Sequence, residues 1–142
     1  MKILVVNGPN INMLGIREPA IYGTTDYETL LKMIDGWAKE LGLEVKCFQS
    51  NCEGKIVTEI QSAYKKFDGI VINAAAYTHT SIAIPDAIKA VSIPAVEVHI
   101  SDINAREVYR RINYVAGVCE KSFIGCGIDG YKMALEYFAK RK

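Results

Sequence analysis

The sequence has 142 residues, 50% hydrophobic and 23% charged, with a formal net charge of +1, the size and balance of one domain built around one buried core. No charge block or Ser/Gly/Pro-rich stretch interrupts it, which argues against disorder and linkers. Lysines and arginines are dispersed except at Lys140-Arg141-Lys142, which argues against nucleic acid or an anionic membrane as the main partner.

Along the chain, short β-branched runs alternate with longer stretches of helical period, the pattern of βαβ units around a parallel sheet. Ile3 to Val6 is the first predicted strand. A helix follows over Asp26 to Leu41, apolar at Leu30, Leu31, Ile34, Trp37, Ala38 and Leu41, opened by a Thr25-Asp26-Tyr27-Glu28 capping box and closed by Gly42. The pattern then gives a strand over Leu43 to Phe48, a helix over Lys55 to Phe67 and a strand over Gly69 to Asn73. Next come a helix over Ser81 to Val91, its extent left open by Pro85, and a strand over Ala95 to His99. A helix over Asn104 to Ile112, a strand over Gly117 to Ile124 and a helix over Asp129 to Lys140 complete the series. The cationic tail complements the dipole of that last helix. Strands this apolar are covered on both faces. The expected fold class is therefore α/β, a flavodoxin-like three-layer sandwich with a five-stranded parallel sheet of order 2-1-3-4-5, forming a single domain over residues 1–142.

Cys47, Cys52, Cys119 and Cys126 form no CxxC pair and have no histidine at zinc-finger spacing, so no metal site is expected. The first apolar run stops at Asn7-Gly8-Pro9, too short for a signal-peptide core, and no later stretch approaches the ~20 apolar residues of a membrane span. The expectation is a cytoplasmic protein with reduced thiols.

Sheets of this kind bind ligands beyond the carboxyl ends of their strands, where strand order reverses. Asn10 follows the first strand, Asn73 closes the third with His79 shortly after, and His99 and Ser101 lie at the end of the fourth, so both histidines fall on that edge. Gly8 to Thr24 is a seventeen-residue connection, whereas βα loops run to about 2–6 residues, and such an excess suggests a lid or binding loop. It carries Arg17 and Tyr22. An arginine near a phenol favours the phenolate, lowering its pKa from about 10 towards the range of a general base; an exposed arginine and a core-capping tyrosine fit the same spacing. His99 stands two residues after Glu97 on one strand face, where the carboxylate can fix the imidazole as a general acid, or the histidine can be satisfied by backbone alone. Arg106 and Arg110, four apart on the predicted helix, suit a carboxylate clamp or two solvated charges. Gly125-Cys126-Gly127-Ile128-Asp129-Gly130 fits GxGxxG, but twelve residues follow Gly130, fewer than the about twenty a dinucleotide site needs before its acidic residue. No GxxxxGK[ST] occurs, and the first strand ends without the acidic cluster of a receiver domain.

Taken together, Asn7-Gly8-Pro9-Asn10-Ile11-Asn12-Met13-Leu14-Gly15 and Arg17-Glu18-Pro19-Ala20-Ile21-Tyr22-Gly23 resemble the opening of type II dehydroquinases. Gln49-Ser50-Asn51, Asn73 to Ser81, Glu97-Val98-His99-Ile100-Ser101, Ala105-Arg106-Glu107 and Gly125 to Tyr131 continue the resemblance in order over nearly the whole chain. It implies a 3-dehydroquinate dehydratase of the shikimate pathway that needs no cofactor or metal and works through an enolate. Tyr22 would be the base and Arg17 its activator; His99, oriented by Glu97, would be the acid; Asn10 would hold a water at the enolate oxygen. Asn73, His79, Asp86, Ile100, Ser101 and Arg110 would bind the substrate's hydroxyls and carboxylate, with Arg106 in support. The family also implies a homododecamer, a tetramer of trimers. Competing readings are a binding or regulatory domain of the same fold without turnover, and a structural subunit whose cysteines and tyrosines serve assembly.

Overall fold

Successive side chains on a strand point to opposite faces, so strands apolar at every position need cover on both sides. The computed structural model, which describes residues 1–16, 20 and 24–141, meets that need with three layers. Strands β1 (Lys2–Asn7), β2 (Glu44–Gln49), β3 (Gly69–Asn73), β4 (Ala95–His99) and β5 (Lys121–Ile124) form a parallel sheet of order β2-β1-β3-β4-β5, the order expected. Ile3, Val5, Val71, Val96 and Val98 face helices α1 (Tyr27–Glu40) and α4 (Asp129–Arg141). Leu4, Val6, Ile70 and Ile72 face α2 (Glu53–Ser62) and α3 (Ala83–Val91). Among the described residues no helix is long and apolar enough to cross a membrane.

Several element ends differ from the sequence reading, each for a local reason. Helix α1 is capped by Asp26, whose Oδ1 accepts from the Thr29 amide at 2.8 Å, rather than by the box anticipated at Thr25. Helix α2 starts at Glu53 and stops at Ser62 instead of running to Phe67, because Lys65 turns left-handed (φ 62) and the Lys66 and Phe67 amides fold back onto the Ala63 carbonyl. Pro85 does not interrupt α3; it sits in the first turn, where its missing N–H has no intrahelical partner to lose. Strand β5 begins at Lys121, not Gly117, since its pairing with β4 starts at Val96 and β4 itself starts at Ala95; Ala116–Val118 form a 3-10 turn.

The largest departure is at Asn104 to Ile112, which is not an α-helix. It is split into two 3-10 turns, Ile103–Ala105 and Val108–Arg111, separated by Arg106 in extended backbone (φ −100, ψ −156). A helix in a protein is held mainly by burying an apolar face, and here Val108, Tyr109 and Ile112 are all exposed. Asp102 instead accepts from the Asn104 amide at 3.0 Å, closing a tight turn.

Register sets the active edge. Asn7 pairs with Gln49 on one side and Asn73 on the other, and His99 pairs with Ile124, so these side chains lie at the carboxyl ends of adjacent strands. Gly8 continues β1 by donating its amide to Asn73 O at 2.8 Å, and a Cβ there would stand 2.4 Å from Ala74 O. Gly8→Ala should therefore destabilise the fold by about 1–3 kcal/mol, read as a lower urea midpoint at unchanged denaturant slope; an unchanged midpoint would show that the two chain segments separate freely.

Candidate active site

At the carboxyl edge of the sheet a cleft opens between three strand ends. Pro9, Asn10 and Ile11 line it after β1, Asn73, Ala75, Ala76 and His79 after β3, and His99, Ile100, Ser101, Ile103, Arg106 and Arg110 after β4. Eight residues singled out from the sequence thus meet in one place: Asn10, Asn73, His79, His99, Ile100, Ser101, Arg106 and Arg110. Arg106 and Arg110 reach it from two separate turns rather than one helix face. Asp86 is exposed in the first turn of α3 and does not line the cleft of its own chain. Arg17 and Tyr22 lie outside the described residues.

Behind the cleft, Glu97 is buried to 1% exposure and bonds His99, whose Nε2–H donates to Glu97 Oε2 at 2.8 Å. The tautomer follows from the acceptor-only carboxylate, which leaves Nδ1 as the ring nitrogen not used by Glu97. Ser122 donates to Glu97 Oε1 at 2.6 Å, and the Asn113 amide donates to Oε1 at 2.9 Å and Oε2 at 3.2 Å. Burial by itself pushes the Glu97 carboxyl up, but the hydrogen bond and charge of His99 and the donors Ser122 and Asn113 outweigh it and hold the group below its ordinary range.

Asn73 is fixed at both ends of its amide. Its Oδ1 accepts from the Ala75 amide at 3.1 Å, and its Nδ2 donates to the buried Tyr131 hydroxyl at 3.0 Å. Tyr131 in turn donates to Asn7 Oδ1 at 2.6 Å. Asn10 adopts a left-handed backbone (φ 69), and its amide donates to Asn51 Oδ1 at 3.1 Å. Gln49 Nε2 lies within 3.2 Å of Gly8 O, Asn12 Oδ1 and Asn51 Oδ1, so the Gln49-Ser50-Asn51 segment braces the turn that carries Asn10.

The opposite wall is cationic. Arg106 Nη1 approaches Ser101 Oγ at 3.5 Å, and Arg110 Nε pairs with Glu107 Oε2 at 2.8 Å. His79 donates Nδ1–H to Ile112 O at 2.7 Å. Desolvation lowers its pKa; the Ile112 bond opposes this, and the nearby positive charge of Arg110, His99 and Arg106 adds to the lowering. A neutral His79 bonded this way presents Nε2 as an acceptor suited to a hydroxyl. The glycine run after β5 serves the strand ends: Gly125 N donates to His99 O at 3.0 Å and Gly127 N to Ile100 O at 3.1 Å. The arrangement can receive a small carboxylic acid that carries hydroxyls and sets beside it an imidazole oriented by a buried carboxylate.

Three contributors escaped the sequence reading: Asn113, Ser122 and the role of Tyr131. Ser122 is the direct cross-strand partner of Glu97, a relation visible only once the β4–β5 register is known.

Over residues 1–139 the chain matches the family described as dehydroquinase class II. It is similar to 3-dehydroquinate dehydratase of Clostridium acetobutylicum, 56% identical over 135 residues covering 95% of this chain and 94% of the relative. The enzyme of the same name from Sulfurimonas denitrificans is 55% identical, covering 95% and 84%. The crystal structure of a type II dehydroquinase from Butyrivibrio crossotus superposes with a TM-score of 0.95 at 52% identity, covering 96% of both chains.

A carboxyl held low in the folded state stabilises that state while ionised. The contribution is complete above the ordinary value of 4.5 and is lost as pH falls through the lower folded value. The stability difference between the parent and Glu97→Gln should therefore shrink in urea titrations run from about pH 7 down to about pH 3. A difference that stays constant over that range would mean that folding does not favour the ionised carboxyl.

Proposed function

The chain belongs to the class II dehydroquinase family, and from that premise we propose how it works as a 3-dehydroquinate dehydratase. Tyr22, as phenolate beside Arg17, removes a proton from C2 of 3-dehydroquinate; the electron pair moves onto the ketone oxygen as an enolate. A water held by Asn10 hydrogen-bonds that oxygen. The enolate then re-forms the ketone and expels the C1 hydroxyl, which takes a proton from His99 and leaves as water. The product is 3-dehydroshikimate, conjugated and ultraviolet-absorbing.

The observation that carries this reading is the His99–Glu97 pair at the floor of a cleft whose other walls offer hydroxyl and carboxylate partners. Glu97 stabilises the imidazolium before transfer. Asn73 and His79 suit the ring hydroxyls, while Ser101, the Ile100 backbone, Arg110 and the supporting Arg106 suit the carboxylate. Asp86 would join the substrate by family resemblance only. The same resemblance supports a reaction without metal or organic cofactor, and we also propose a single catalytic unit in a cytoplasmic setting.

Two experiments test the reading. Enzyme mixed with 3-dehydroquinate should generate the conjugated absorbance, and Tyr22→Phe should abolish both this and exchange of the C2 proton with deuterium. His99→Ala should lose about 10²–10⁴ in dehydration yet keep measurable exchange, because the enolate still forms; loss of exchange as complete as in Tyr22→Phe would reverse the assigned roles. We also propose a dodecamer of four trimers, so light scattering should give a mass near twelve chains of 15.7 kDa; a fully active monomer would rule this out.

A further inference from the structure

A buried carboxylate next to a histidine can hold the pair in two ways, as carboxylate and imidazolium or as carboxylic acid and neutral imidazole. Only the first has a proton ready on the ring. The balance is set by what else solvates the carboxylate. His99 occupies Glu97 Oε2 at 2.8 Å, whereas Oε1 faces Ser122 Oγ at 2.6 Å and Asn113 Nδ2 at 2.9 Å. A carboxylate only accepts, so both must donate, and both bonds weaken if Oε1 takes a proton.

The Asn113 amide cannot readily turn away. Asn113 Oδ1 accepts from the Val115 amide at 2.9 Å and the Ala116 amide at 3.0 Å, which fixes the amide with its NH₂ towards Glu97. Ser122 lies opposite Glu97 in the β4–β5 ladder. The other titratable groups around the pair are Cys119, pushed up to about 12 by burial and by the charge of Glu97, and, lining the cleft with His99, His79, Arg106 and Arg110. At neutral pH Cys119 is an uncharged thiol and places no second anion beside Glu97.

We propose that Ser122 and Asn113 are positioning residues that keep Glu97 ionised and thereby keep the transferable proton on His99. The inference rests on His99 being the acid of the reaction proposed above. Ser122 is the cleaner probe, since Asn113 also closes a backbone turn.

Ser122→Ala should lower kcat about three- to tenfold with KM within about twofold, and move the acid limb of the kcat–pH profile upward by about one unit. Ser122→Thr, which retains the hydroxyl, should restore the parent profile. In a Glu97→Gln background, Ser122→Ala should cause no further loss, because its effect passes through the carboxylate. A parent-like acid limb in Ser122→Ala, or an equal loss in both backgrounds, would overturn the proposal. Nitrogen-15 NMR of the His99 ring supplies a reading independent of turnover: Ser122→Ala should change its titration curve, and a curve matching the parent's would overturn the assignment. If the parent protein itself failed to dehydrate 3-dehydroquinate, the proposed reaction would fall, while the NMR titration would still decide the role of Ser122.

Discussion

Glu97 is ionisable and all but sealed from water, at 1% exposure, and a charge in that position is tolerable only if protein groups replace its hydration. Its partners come from three places: the same strand, the neighbouring strand β5 and the loop holding Asn113. Satisfying one carboxylate thus aligns β4 with β5 and fixes the path of the chain between them. It also explains why residues 103–118 carry short turns rather than a helix. Asn113 must reach inward to Glu97 while its carbonyl holds Val115 and Ala116, and the exposed Val108, Tyr109 and Ile112 give a helix no buried face between them.

On the other side of the cleft the constraint is close approach instead of charge. Adjacent parallel strands bring Asn7, Gln49 and Asn73 level, and Gly8 lets the chain pass against Ala74 without a Cβ. The Asn73 side chain, which faces the cleft, is held from behind by one bond to the Tyr131 hydroxyl and one from the Ala75 amide. Preorganisation of this kind lets a site present donors and acceptors without rearranging during the reaction.

Much of this was legible in the sequence because period and position carried it. Apolar runs placed five strands in the right order, and the two-residue spacing of Glu97 and His99 placed both on one strand face, where they bond. Asn10, Asn73 and His79 followed from the rule that ligands sit at the carboxyl ends of strands. Asn104 to Ile112 was misread because its residues have adequate helical propensity, and propensity says nothing about whether a face is buried. The other two partners of Glu97 were not legible at all. Ser122 meets it through cross-strand register and Asn113 through an irregular loop, neither of which leaves a local pattern. The motif Gln49-Ser50-Asn51 was visible as letters, but its bracing of the Asn10 turn needs the fold.

The Tyr131 hydroxyl joins Asn7 near the start of the chain to Asn73 in its middle, and the partners Tyr131 and Asn7 are 124 residues apart in sequence. Contacts that distant are the last to form as a chain emerges from the ribosome. Until α4 docks, Asn73 lacks the partner that fixes its amide and the cleft lacks one of its aligned polar groups. A chain in which β1 and β3 have paired therefore still lacks the bond that fixes the Asn73 amide until α4 docks.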